Sequence, residues 1–237
     1  MKILYIFPHP DDESFGPVAA MHRQLKDDHE VYLLTLTKGE ATKQRFKLNL
    51  SKAEMGEVRY REMQAVASVL GLTGMEVLDL PDGQLNEMDP RDIEKVIQRS
   101  IDDIKPDILV SYPVHGISGF HDHLVTHAVV KRVYLEMKEN GADYLKRLSF
   151  FTLPDNEQPV FQGNQIRLKH THPSRIDCVM HLETEDIEMF KKCLSCYETY
   201  KETIEESKVV EKIGDTIYFE FFGEHLDTPI DDITVFY

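Results

Sequence analysis

From Lys2 to Glu139 the chain alternates short apolar runs with amphipathic segments, and that alternation leaves few folds open to it. Lys2–Phe7 (KILYIF), Val31–Thr37 (VYLLTLT), Met75–Leu80 and Asp107–Tyr112 (DILVSY) have the length and β-rich composition of buried strands. Between and after them lie helical patterns, from about Glu13 to Lys26, Lys52 to Leu70, Asp89-Pro90 to Ile104, and Asp122 to Glu139. The third starts with Asp as cap and Pro in its first turn; Asp122 is read as the N-cap of the fourth. Strand–helix alternation predicts an α/β fold, a Rossmann-like doubly wound, mostly parallel sheet with helices on both faces. Right-handed crossovers bring every strand's carboxyl end to one rim. Gly39 to about Asn49 reads as a loop. Beyond Leu148–Thr152, a further strand, residues 154 to about 173 read as a long loop or mobile flap. Ile176–His181 reads as a strand, Thr184–Glu206 as one long helix capped by Thr184, and Ile217–Phe222 as a last strand. The 237 residues are expected to form a single domain, 1–237.

Chemistry concentrates at two strand ends. His9-Pro10-Asp11-Asp12-Glu13 follows the first strand, and His121-Asp122-His123 follows the loop after the fourth. Both should reach the rim where open α/β sheets put their active sites. His9 and Asp12, three apart on a loop entering a helix, can aim at one ion, leaving Asp11 free as a base. A histidine of the second cluster would complete a His/Asp/His set with an open water position, the arrangement of catalytic zinc. His123 and His127 share a helix face, so His127 competes as a ligand.

The formal net charge of −15, from 27 basic and 42 acidic side chains, argues against nucleic acid and anionic membranes as partners. No stretch is long and apolar enough to span a bilayer, and the N-terminus lacks the build of a secretory signal. Cys178, Cys193 and Cys196 are few and odd in number, Cys193 and Cys196 forming a CxxC inside a helical stretch, so core or helix-face thiols in a reducing cytoplasm are expected.

With these clusters in place, the chain resembles the zinc-dependent N-acetylglucosamine deacetylases of the LmbE-like and PIG-L type. Further stretches carry the resemblance: Thr37-Lys38-Gly39-Glu40-Ala41, Gly56-Glu57-Val58-Arg59 with Glu62, Leu80-Pro81-Asp82-Gly83, and Lys192-Cys193-Leu194 with Cys196-Tyr197. Gly119-Phe120-His121-Asp122-His123 and the length are nearest to the second type of bacillithiol-synthesis deacetylase. The resemblance implies His9, Asp12 and His123 as ligands of one Zn²⁺, Fe²⁺ also fitting them, with Asp11 as general base. It implies Arg59 and Asp82 as substrate contacts. The family's usual histidine before Asp-His is displaced here: Phe120 stands at its position and His121 at that of a proline. His121 is therefore expected to swing inward and act as the acid beside the oxyanion, unless that acid comes from elsewhere.

The expected reaction removes acetate from an N-acetylglucosaminyl conjugate such as N-acetylglucosaminyl-malate. An amidase of thiol S-conjugates or of another acetylated sugar is the alternative. A non-catalytic Rossmann-like module is the alternative of another class, disfavoured because no glycine-rich phosphate loop follows any strand. The expected partner is thus a small-molecule acetylated amino-sugar conjugate, and the expected assembly a homo-oligomer.

Overall fold

The computed structural model describes residues 1–155 and 168–236, so the middle of the expected flap, 156–167, lies outside the described residues. Strand β1 (Lys2–Phe7) lies inside the sheet, paired in parallel with β2 (Glu30–Thr37) on one side and β4 (Ile108–Ser111) on the other. Beyond β2 comes β3 (Gly74–Leu80), and beyond β4 comes β5 (Arg147–Thr152), both parallel to their neighbours. Two later strands, β6 (Cys178–His181) and β7 (Thr216–Phe221), extend the β5 edge antiparallel, giving the order β3-β2-β1-β4-β5-β7-β6.

The period-2 geometry of β1 explains its unbroken apolar run. Ile3, Tyr5 and Phe7 enter one core and Leu4 and Ile6 the other, and all five are fully buried. On the first face pack α1 (Val18–Lys26), α3 (Lys52–Leu70) and α6 (Thr184–Leu194). On the second pack α4 (Pro90–Ile104) and α5 (His121–Glu139). Burying each of these aliphatic or aromatic side chains contributes roughly 1.5–3 kcal/mol, so a strand buried on both faces anchors the sheet. No helix among the described residues is long and apolar enough to cross a membrane.

Several sequence expectations shift. The first helix starts at Val18 rather than near Glu13, because Gly16 precedes Pro17 and such a residue is driven out of the helical region. Residues 11–16 form successive turns instead, with Ser14 and Phe15 N–H groups donating to the Asp11 carbonyl. The expected loop after β2 holds one short helical turn, α2 (Gln44–Lys47). The long helix expected over Thr184–Glu206 is broken. It ends at Leu194, and a 3-10 turn at Glu198–Tyr200 leads into α7 (Lys201–Ser207) and α8 (Val209–Ile213). Glu183, not Thr184, occupies its N-cap, in a reciprocal capping box with Asp186. Phe120, not Asp122, is the N-cap residue of α5.

The strand order makes β1 and β4 the topological switch point, where crossovers leave in opposite directions and open a crevice at the carboxyl ends. The loops after those two strands carry the two clusters.

Candidate active site

His9, Asp12 and His123 converge in this crevice, each offering a ligand atom, and those atoms lie within 4.8 Å of one another. His9 also belongs to a second such group, with Asp82 and Asp122. Hydrogen bonding separates the two. His9 Nε2 lies 3.2 Å from Asp122 Oδ2 and 3.3 Å from Asp82 Oδ1, which leaves Nδ1 facing Asp12 Oδ2 at 3.4 Å. His123 Nδ1 lies 2.9 Å from the Gly116 carbonyl oxygen and 3.1 Å from Ser118 Oγ, and its Nε2 is 3.4 Å from Asp12 Oδ1. Each imidazole thus commits one nitrogen to a protein partner and turns the other toward Asp12, as metal-binding histidines do. Asp122, by contrast, already accepts from the Gly83 and Leu85 N–H groups, and Asp82 from that of Ala41. The His9–Asp12–His123 set fits a zinc-type ion, and Asp82 and Asp122 support it from outside.

Tyr112 completes the setting. Its hydroxyl donates to Asp12 Oδ1 at 2.7 Å, and its ring stacks on His123 with centroids 4.3 Å apart and planes 11° from parallel. Gly116 has φ +62°, and a Cβ there would stand 2.8 Å from His123 Cβ, so only glycine brings its carbonyl under that ring.

Asp11 lies beside this set in a left-handed conformation, φ +86°, which costs a non-glycine residue on the order of 1–3 kcal/mol. Its Oδ2 accepts from Arg59 Nη2 at 2.6 Å, while Oδ1 has no partner among the described residues. Burial pushes the Asp11 carboxyl up, Arg59 opposes this, Asp12 and Glu13 reinforce it, and the balance stands at about 7. Asp12 goes the other way. Burial disfavours its charge, but His123, His9 and the Tyr112 hydroxyl hold it down to about 2. The environment thus drives two adjacent carboxyls in opposite directions. Burial likewise disfavours charge on His9, yet its hydrogen bonds to Asp12, Asp122 and Asp82 raise its pKa well above the usual value. Burial lowers the pKa of His123 despite Asp12 beside it.

The other residues singled out in the sequence take these positions. Arg59, expected at the substrate, is 2% exposed and spent beneath the Asp11 turn: Nη2 also donates to the Pro10 carbonyl at 2.5 Å, and Nη1 to that of Gly39 at 3.2 Å. The Tyr200 ring covers its guanidinium at 4.5 Å. Asp82, also expected at a sugar hydroxyl, is buried with an oxygen on His9 and another on Ala41. His121 does not reach the cluster. It is exposed at the start of α5, because the next residue, Asp122, turns its carboxylate inward to cap the β3 loop. His127 stays out too, with Nδ1 on the Tyr112 carbonyl and its ring against Phe150. His115, another histidine of the loop after β4, pairs with Thr171, and burial lowers its pKa to about 4. No sequence motif assigns a catalytic or positioning role to Glu13, Tyr112 or Tyr197, although Cys196-Tyr197 stands in one of the stretches that carry the resemblance.

Fold and site together define an α/β protein with a histidine–carboxylate metal centre at its switch point. A family model described as GlcNAc-PI de-N-acetylase (PIG-L) matches residues 4–134, more than half of the chain, and the chain belongs to that family. It is 29% identical over 140 residues to a probable N-acetyl-alpha-D-glucosaminyl L-malate deacetylase 2 of Bacillus subtilis (strain 168), a match covering 58% of this chain and 63% of the relative. To the protein of the same description from Bacillus anthracis it is 22% identical over 200 residues, covering 84% and 79%. With a mycothiol S-conjugate amidase of Streptomyces coelicolor the match covers 54% of this chain and 50% of the relative, at 28% identity. The chain therefore spans less than two thirds of the length of the first and third of these relatives. Among solved structures, a deacetylase of teicoplanin biosynthesis superposes with TM-score 0.70 at 14% identity, covering 94% of this chain and 100% of that one. A 4-carboxy-2-hydroxymuconate hydratase from a Pseudomonas does so with TM-score 0.69 at 13% identity, covering 97% and 99%. The fold is thus shared by proteins named for different reactions, and the site must carry the chemistry.

Proposed function

We propose that this chain is a metal-dependent hydrolase that removes the N-acetyl group from an amino-sugar conjugate, with His9, Asp12 and His123 holding one Zn²⁺ or Fe²⁺. The observation that carries this reading is the position of Asp11 beside the ligand set, with Arg59 on Oδ2 and Oδ1 left open. A metal held there would supply Lewis acidity, lowering the pKa of water toward neutrality and polarising an acetamide carbonyl. Asp11 then takes the attacking water's proton at Oδ1 and returns it to the leaving amine, while Arg59 fixes Oδ2. Asp122 and Asp82 fix the orientation of His9, and Gly116 that of His123. Tyr112 orients Asp12.

For the substrate we propose N-acetylglucosaminyl-malate, as in bacillithiol synthesis, which the names of the two Bacillus relatives support. The amidase reading is kept because the Streptomyces relative is named for it. The whole of 1–237 acts as one catalytic unit, in the cytoplasm and as a homo-oligomer. The test is acetate release, with metal content measured on the same preparation, from N-acetylglucosaminyl-malate, plain N-acetylglucosamine and a mycothiol-type S-conjugate. Turnover of the first with one metal per chain is expected. Faster turnover of the S-conjugate would select the amidase, and no turnover of any despite full metal would reject the hydrolase.

A further inference from the structure

The turn that presents Asp11 is held from the far end of the chain. Tyr197, 1% exposed, stands in the break after α6, and its hydroxyl accepts the Asp11 backbone N–H at 2.9 Å. The same hydroxyl donates to Glu13 Oε1 at 2.6 Å. Glu13 is fully buried, takes a second donor from Ser14 Oγ on that same oxygen, and leaves Oε2 without a partner among the described residues. A carboxyl group buried in the core with an unpaired oxygen is a costly anchor for one tyrosine.

What they fix is the conformation of one residue. With φ at +86°, Asp11 needs partners that over-determine it, and its N–H is paired by the Tyr197 side chain rather than by backbone. Asp11 O is taken by Ser14 and Phe15, Oδ2 by Arg59, and the N–H by Tyr197, which leaves Oδ1 alone open. The break in the expected Thr184–Glu206 helix serves the same end. Tyr197 lies just past the end of α6, and Thr199 closes the adjoining segment onto α3 through Glu62, at 2.8 Å from both its N–H and its Oγ1.

We propose that Tyr197 and Glu13 form a buried latch that locks the Asp11 turn in its left-handed form, and that Tyr197 is a positioning residue for the reaction. This rests on the proposed hydrolase reading, in which Asp11 is the base. The latch acts through the Asp11 backbone and touches neither substrate nor metal ligand.

The test is Tyr197→Phe in the full chain as purified, with Glu13→Gln as a gentler second variant. Two readouts are taken: hydrogen exchange of the Asp11 amide by NMR, and steady-state kinetics of acetate release with metal content. The latch predicts faster exchange at Asp11, by about 10-fold or more. It predicts kcat lower by about 10- to 100-fold, KM within about twofold and metal content unchanged, with smaller shifts in the same direction for Glu13→Gln. A residue that only supports the fold would lower Tm and leave kcat alone. Unchanged exchange at Asp11, or faster exchange with unchanged kcat, would overturn the proposal. If Tyr197→Phe fails to fold, Glu13→Gln decides by the same readouts. If the wild type hydrolyses no acetylated amino sugar, the hydrolase reading fails by itself and the exchange result still judges the latch.

Discussion

The two loops that meet at the switch point both contain left-handed backbone, but they use it differently. After β1 the strained residue is the proposed base itself, Asp11, held by Arg59 from α3 and by Tyr197 from beyond α6. After β4 the left-handed residues are Gly116, Ile117 and Gly119, at φ +62°, +56° and +72°, two of them glycines that adopt it without penalty, and Ile117 is not in the ligand set. They instead turn the Gly116 carbonyl and Ser118 toward His123, which sits on the following helix. The first loop aims a side chain by fixing its own backbone, and the second aims a helix residue by offering it an acceptor. Loosening the Asp11 backbone should therefore appear in turnover, and removing the acceptors behind His123 in metal retention.

The largest break in that comparison is His123→Ala. It removes a ligand from the second loop's side, so metal should be lost and acetate release fall to background, while circular dichroism stays native. His127→Ala should keep its metal, because that ring is committed to Phe150 and the Tyr112 carbonyl. The opposite pattern would assign the ligand to His127.

Next comes the pH dependence of the first loop. Without metal, the Asp11 carboxyl titrates near 7 in the folded chain, against an ordinary value of 3.8. Between those values the folded chain holds a proton that the unfolded chain has released, so stability falls as pH rises through the window. The loss is on the order of 2–4 kcal/mol. Urea unfolding of the chelator-treated protein at pH 4.5 and 7.5 should show this drop, and Asp11→Asn should flatten it. Parallel pH profiles for the two proteins would refute the assignment.

Smaller again is Tyr112→Phe, which leaves all ligands in place but frees Asp12 Oδ1 from its hydroxyl donor. Metal affinity should drop by about 10- to 100-fold in a competition with a chromogenic chelator. An unchanged affinity would mean that stacking on His123, not the hydroxyl, does the orienting. The smallest effect belongs to His121→Ala: with an exposed side chain outside the cluster, kcat and its pH profile should stay within about twofold of wild type. A lost basic limb would bring His121 back as the acid.

The parallel half of the fold was readable because β1, β2 and β4 are buried on both faces and so appear as unbroken apolar runs. The capping box at Ser51 and Glu54 and the Asp89-Pro90 start likewise mark α3 and α4 by local chemistry. The antiparallel edge was not readable in the same way, since the β5–β7–β6 pairing joins segments distant in sequence and no local signal states which strand lies beside which. At the site, the meeting of the two clusters follows from strand ends, whereas the choice of His123 over His127 comes only with the family resemblance. The depth of Arg59 follows from neither, because its helix position faces the rim in either case and only the Pro10, Asp11 and Gly39 oxygens draw it under the turn. His121 was misplaced for a related reason. Whether Asp122 caps its own helix or the Gly83–Leu85 amides is a tertiary choice, and it decides which way its neighbour points. The Glu- and Lys-rich stretch after Leu194 has the composition of a helix, and the burial of Tyr197 against Glu13 overrides it.

The measurement that bears most directly on the account is Asp11→Asn, with metal content and the kcat of acetate release determined on the same sample. Asparagine accepts the left-handed conformation and keeps an oxygen for Arg59, so the turn and the three ligands survive the change. The account predicts one metal per chain and kcat lower by about 10²- to 10⁴-fold. Full metal occupancy with near wild-type kcat would contradict it and move the base to another residue.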